Sequence, residues 1–184
     1  AAESDGEPID VVSLDRQRWG CTPGGERLRV VCEFYARDES VRAAFLDDTR
    51  AFFNFTSLAL RPVGREQDPC RVTLEAPTRI DNWQVVTTLP AQATDSRGFG
   101  VYAADNYWAL IDQPVAMGAA VEYVRFEVRG VPHAFVLLGS HDADTQRLAA
   151  LQLRAQVRGM ELPAEVARYI LHRGPRQLDP LFEI

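Results

Sequence analysis

Short segments rich in β-branched and aromatic residues follow one another from residue 9 to about residue 139. Such side chains fit the pleated surface of a sheet, so these segments predict β-strands. The predicted strands are 27–37, 57–63, 71–75 and 83–89, with the two arms of a hairpin at 123–128 and 133–138. Turn-forming residues such as Pro23 and Gly24 separate them. Many short strands divided by turns predict an antiparallel β-sandwich-like domain.

Helical periodicity dominates only near the end of the chain. Between the predicted strands, one short helical turn is predicted over 106–111, with Asp105 as its N-cap. The helices predicted after residue 139 are 144–158, which Gly159 ends, and 163–172, which Pro163 begins. Strands followed by helices predict an α+β protein, with a β-rich domain over residues 1–145 and a short C-terminal helical segment over 146–184.

Composition narrows the possible functions. The 184 residues carry a formal net charge of −6 and no apolar run long enough to span a bilayer, so we expect neither nucleic acid nor membrane as a partner. All 20 basic residues are arginine, which excludes lysine-based catalysis. The cysteines Cys21, Cys32 and Cys70 form no CxxC pair and predict free thiols in a reducing, cytoplasmic compartment. We expect Cys32 to be a buried small apolar residue.

No complete catalytic site is evident in the sequence. The three histidines, His133, His141 and His172, are not spaced as the two zinc ligands of an HExxH helix, which lie one turn apart. The segment 140–144 holds a serine, a histidine and two aspartates, but catalytic triads are assembled in space, so turn and capping roles are the favoured interpretation. A weak metal site at His141 and Asp144 stays open, but two ligands are too few to predict one. We predict no catalytic, cofactor-binding or metal-binding residue.

Two residue clusters remain candidates for a groove or an interface. The aromatic cluster comprises Tyr102, Tyr107 and Trp108, which can line a peptide groove or cover one end of the sandwich. The acidic pair comprises Asp47 and Asp48, which can share a proton or hold a cation, or can satisfy loop amides.

Several ordered stretches resemble a known family. They are LDRQRW (14–19), VCEFYARDESVRAAFLDDTRAFFNFTSLAL (31–60), WQVVTTLP (83–90), YAADNYWALIDQPVAMG (102–118) and FEVRGVPHAFVLLG (126–139). Over residues 10–150 the chain resembles the N-terminal domain of the glycyl aminopeptidase family of bacterial zinc metallopeptidases. The resemblance implies a β-sandwich-like module that precedes a thermolysin-like domain, which carries the zinc and the catalytic residues. One departure is Phe55, which stands where the family has a turn glycine.

The C-terminal segment resembles a second family. The run RGMELPAEVARYIL (158–171) is similar to the helical lid of Hda-type regulators of the DnaA replication initiator. The aminopeptidase resemblance, together with the missing HExxH motif, implies a non-catalytic accessory domain or fragment of a metallopeptidase, inactive alone and without a cofactor of its own. Its expected partner is the catalytic metallopeptidase domain, or a second copy through self-association. The alternative is an interaction module, a chimera that carries a replication-regulator lid segment.

Overall fold

The computed structural model describes residues 1–40, 43–128, 131–138 and 169–172, and at 124–128, 131–135 and 169–172 it describes the backbone alone. The chain divides into two compact units, Ala1–Tyr35 and Ala36–Ile184. In the described residues, both units are built mostly of antiparallel strands, and there is a single five-residue α-helix. The β-rich, antiparallel character predicted from the sequence is confirmed.

The unit Ala1–Tyr35 contains five short strands. They are β1 (Ala2–Ser4), β2 (Glu7–Pro8), β3 (Val12–Ser13), β4 (Trp19–Gly20) and β5 (Leu28–Val30). Strand β1 is the centre of a three-stranded sheet in the order β2-β1-β5, and β3 pairs with β4. The short strands β1 to β4 are absent from the sequence prediction, because segments of two or three residues give no readable periodicity.

The turn between β1 and β2 is formed by an Asp-Gly pair. Asp5 has a φ of 49° and Gly6 a φ of 92°, the left-handed values of a tight hairpin turn. The Asp5 carboxylate also accepts hydrogen bonds from the backbone N–H of Glu26 at 3.1 Å and of Arg27 at 3.0 Å. Asp5 therefore joins this hairpin to the segment that leads into β5.

The described part of the unit Ala36–Ile184 contains three sheets. Its strands are β6 (Ala44–Leu46), β7 (Arg50–Asn54), β8 (Cys70–Leu74), β9 (Gln84–Thr87), β10 (Ala91–Thr94), β11 (Gly100–Ala104), β12 (Pro114–Gly118), β13 (Val121–Val128), β14 (Val131–Leu138) and β15 (Tyr169–His172). A 3-10 turn at Phe55–Ser57 and the helix α1 (Tyr107–Ile111) complete it. The sheets run β6-β7-β12-β9, β10-β11-β8 and β13-β14-β15; β15 joins β14 in parallel, and the other described pairs are antiparallel.

The four-stranded sheet of this unit buries both of its faces. On β12, Val115 and Met117 belong to the core cluster shared with Leu74 and Tyr102 of the β10-β11-β8 sheet. Ala116 points the other way, into a second cluster with residues of β14. Successive residues of a strand point to opposite faces, so a central strand covered on both sides is apolar at every position. The described part of this unit is thus a three-layer β structure.

Several predicted elements are confirmed. The strands predicted at 71–75 and 83–89 correspond to β8 and β9. The hairpin predicted from 123–128 and 133–138 corresponds to β13 and β14, which pair in an unbroken antiparallel register. The helical turn predicted at 106–111 is α1.

Other predicted elements are wrong in extent or in kind. The strand predicted over 27–37 is limited to β5, because its partner β1 is only three residues long, and Cys32 beyond it is exposed rather than buried. No strand forms over 57–63: the Asn54 side chain accepts from the Thr56 N–H at 3.0 Å and caps a 3-10 turn instead. Phe55 begins this turn without a left-handed φ.

The N-cap of α1 and the last four residues of the helix predicted over 163–172 also differ from the prediction. Asn106, and not Asp105, is the N-cap, because its side-chain oxygen accepts from the Ala109 N–H three residues ahead, at 2.9 Å. Of the helix predicted over 163–172, the four described residues form strand β15, whose backbone pairs with β14. The helix predicted over 144–158 and the predicted boundary at 145–146 lie outside the described residues.

Candidate functional site

The helix α1 brings two of the three predicted aromatic residues into contact. The rings of Tyr107 and Trp108 lie edge to face, with centroids 5.4 Å apart and an interplanar angle of 78°. Tyr107 is buried and its hydroxyl donates to the Ala59 carbonyl at 3.4 Å. Trp108 is 47% exposed. Of this pair, only Trp108 has a large part of its ring surface open to contact with a partner.

Tyr102 is part of the protein core. It lies on β11, and its hydroxyl donates to the Gly98 carbonyl at the tip of the β10–β11 hairpin. Burial raises the pKa of Tyr102, and the nearby Asp95 and Tyr123 raise it further. The Tyr102 phenol is neutral, buried and hydrogen-bonded within the protein, where it stabilises the hairpin. Because Tyr102 is buried, the three predicted aromatic residues do not form one exposed groove.

Asp47 and Asp48 lie in the turn that connects β6 to β7. The Asp47 carboxylate accepts from the Thr49 N–H at 2.8 Å, the Thr49 hydroxyl at 2.7 Å and the Arg50 N–H at 2.9 Å. Burial opposes ionisation of Asp47, yet these hydrogen bonds and the Arg50 charge outweigh it and lower the pKa. Asp48 is exposed. Local capping of the turn accounts for Asp47 without any ligand.

A loop whose first part is predicted as a strand contacts α1 and exposes two apolar residues. The N–H of Tyr107 donates to the Glu66 carbonyl at 3.0 Å, so the loop of residues 58–69 touches the start of the helix. This loop exposes Leu60 and Val63. We call Leu60, Val63 and Trp108 the α1-end surface. The sequence signal for it was weak, because Leu60 and Val63 fit a strand pattern equally well.

The histidines do not define a site in the described part of the chain. His133 lies on β14 and His172 on β15, while His141 and the whole segment 140–144 lie outside the described residues. Among the described residues no three His, Cys, Asp or Glu side chains are grouped to hold a metal. The described helix is also too short to cross a membrane.

Comparisons with known proteins agree with this architecture. Residues 1–119 match the peptidase M61 N-terminal domain, and residues 144–184 match the Hda lid domain. A solved structure of an aminopeptidase N family protein from Idiomarina loihiensis superposes with a TM-score of 0.74 and 38% sequence identity over 81% of this chain. The match covers 25% of that protein's chain. The chain belongs to the peptidase M61 N-terminal domain family.

Proposed function

We propose that this chain is a non-catalytic accessory domain that packs on a zinc aminopeptidase domain and helps to wall its substrate cleft. The observation that carries the proposal is the family match over residues 1–119, combined with a structural match to a quarter of an aminopeptidase N family protein. The histidine spacing in the sequence is consistent with this role, because it provides no HExxH pair. The zinc and the catalytic residues would belong to the partner domain.

The substrate class and the compartment are further parts of the proposal. The resemblance of the sequence to glycyl aminopeptidases favours peptides with an N-terminal glycine as substrates of the assembled enzyme. The three free thiols, Cys21, Cys32 and Cys70, favour a reducing compartment such as the cytoplasm.

The α1-end surface is the proposed contact with the catalytic domain. Aromatic residues, tryptophan above all, are enriched among the residues that dominate protein interfaces. Trp108 is held at the surface by its ring contact with the buried Tyr107, so its position is fixed before a partner binds. A rigid aromatic side chain loses little conformational entropy on binding.

Binding to a separately produced catalytic segment tests this contact. The partner is the part of the Idiomarina loihiensis protein that lies outside the match, and binding is measured by titration calorimetry. We expect Trp108→Ala to weaken binding at least tenfold. Leu46→Ala, which removes another exposed apolar side chain at the end of β6, should leave binding unchanged. The proposal would be contradicted if the wild type did not bind at about 100 μM, the weak end of functional affinities. Equal losses of affinity in both variants would also contradict it.

A second candidate function rests on the match of residues 144–184 to the Hda lid domain. In this alternative the chain is an interaction module whose C-terminal segment contacts a replication initiator ATPase. A pull-down of a DnaA-type initiator by the full chain tests it, with a chain ending at residue 143 as the control. Capture by the full chain and not by the shortened one would favour this candidate over the accessory domain.

A further inference from the structure

The unit Ala1–Tyr35 has almost no core of its own. Of its residues, all of which the structure describes, only Ala2 and Ser4 are buried. Nine large apolar residues in the same unit are between 44% and 91% exposed. Among them are Val12, Leu14, Trp19, Leu28, Phe34 and Tyr35. A folded segment with this distribution exposes most of the apolar surface that would normally stabilise it.

Units of this size need an additional source of stability. Below about 40 residues a domain usually relies on disulfides, a metal or association with another surface. Cys21 and Cys32, the two cysteines of the unit, are free thiols. The described residues contain no grouping of side chains that could hold a metal. Association with another protein surface is therefore the remaining source.

The β3–β4 pair shows how such a surface is built. Val12 lies opposite Gly20, and Leu14, two residues further, points to the same side. A Cβ placed on Gly20 would be 3.4 Å from the Leu14 side chain, so Leu14 extends over the glycine. Trp19 lies opposite Ser13 on the other side of the pair. The pair thus exposes large apolar side chains on both sides.

The exposed apolar area, summed over both sides of the unit, is close to what one partner contributes to a stable dimer. Taking about 200 Å² for an aromatic side chain and about 100 Å² for an aliphatic one, the exposed fractions leave roughly 700 Å² open to solvent. A standard interface buries about 800 Å² from each partner. A second copy of the chain offers the same area and the same apolar character.

We propose that the chain forms a homodimer through the exposed apolar side chains of Ala1–Tyr35, with Leu14 and Trp19 among the contacts. This inference does not rest on the accessory-domain function. Residues 1–35 contain seven acidic residues and four arginines, a formal charge of −3 in each copy. Like charges repel across a symmetric contact, and salt screens that repulsion. The dimer should therefore become tighter as salt increases, unlike a contact held by opposite charges.

Sedimentation equilibrium of the full chain between about 1 and 100 μM tests the dimer, in the range where contacts of this size dissociate. We expect a monomer–dimer equilibrium that tightens between low and high salt. Leu14→Asp and Trp19→Asp should each raise the dissociation constant at least tenfold, while Leu46→Asp, a matched change at a 53% exposed residue of the other unit, should not. Circular dichroism establishes that each variant is folded.

Three results would overturn the dimer. A wild-type chain that stays monomeric at the highest concentration would show that the apolar surface is satisfied in another way. Dissociation by Leu46→Asp to the same degree as by Leu14→Asp would show that added charge, and not this surface, weakens association. Dimers that persist in both the Leu14 and the Trp19 variants would place the contact elsewhere on the chain.

Discussion

Replacement of Gly100 by alanine tests the packing of the β10–β11 hairpin. Gly100 begins β11 with a φ of 140°, a value that L-residues rarely adopt. A Cβ at this position would lie 2.2 Å from the carbonyl oxygen of Ala93 and 2.8 Å from the Cα of Thr94. Both contacts are to backbone, one residue pair away from the point where the register between β10 and β11 shifts. An added methyl group can therefore be accommodated only if the paired strands separate.

The size of the effect follows from two separate costs. A left-handed backbone costs a non-glycine residue about 1–2 kcal/mol. Forcing an extra carbon into filled space adds about 1–3 kcal/mol. We therefore expect Gly100→Ala to lower the free energy of unfolding by about 2–5 kcal/mol when both costs act. Gly64 isolates the first cost, because its φ is 86° and no atom would lie within 4 Å of an added Cβ.

Urea unfolding followed by circular dichroism measures both variants. Gly64→Ala should lose only about 1 kcal/mol, because a smaller unfolded-state entropy offsets part of the backbone cost. Gly98→Ala, at a φ of 86° with Val85 at 3.1 Å from the added carbon, should fall between the two. If Gly100→Ala were no more destabilising than Gly64→Ala, the close approach of β10 to β11 would be refuted.

Three further predictions concern single side chains. Asn106→Ala should lower the stability measured by thermal unfolding by about 1 kcal/mol, because it removes the N-cap of α1. Asp105→Ala should change the stability little. A larger loss for Asp105→Ala than for Asn106→Ala would show that Asp105 is the cap. The pKa of Asp47 is lowered in the folded state, so its contribution to stability is present above about pH 4 and is lost as the pH falls through the folded value. Asp47→Asn should flatten this acid loss in unfolding curves measured from neutral to acidic pH, and an unchanged curve would contradict it. Cys32 is exposed, whereas burial and the nearby Asp68 raise the pKa of the partly buried Cys70. A thiol reagent should therefore modify Cys32 before Cys70, as measured by peptide mapping with mass spectrometry. Earlier labelling of Cys70 would refute this order.

The sequence was sufficient for β8, β9 and the β13–β14 hairpin, which show alternation or have clear turn residues beside them. Strand β8 alternates exposed and buried residues, and the β13–β14 hairpin has clear turn residues between its arms. Strands β7 and β12 were missed because both faces of their sheet are covered, so that they contain apolar runs without alternation. At Tyr169–His172, pairing with β14 replaces the helix that local periodicity predicts.

The candidate site could be predicted only in part for a similar reason. The sequence identified the aromatic residues but not their burial, which depends on distant contacts. The hydroxyl of Tyr107 meets the carbonyl of Ala59, 48 positions away, and local sequence contains no sign of this. The exposure of Leu14 and Trp19 was equally hidden, because the same residues would form a core in a larger unit.

Activity and zinc content of the purified chain test the central proposal of a non-catalytic accessory domain most directly. The chain is incubated with zinc, and hydrolysis of glycyl and alanyl p-nitroanilides is followed while bound metal is measured by mass spectrometry after gel filtration. We expect no hydrolysis above the buffer rate and no stoichiometric zinc. Zinc-dependent turnover that disappears on addition of a chelator would contradict it.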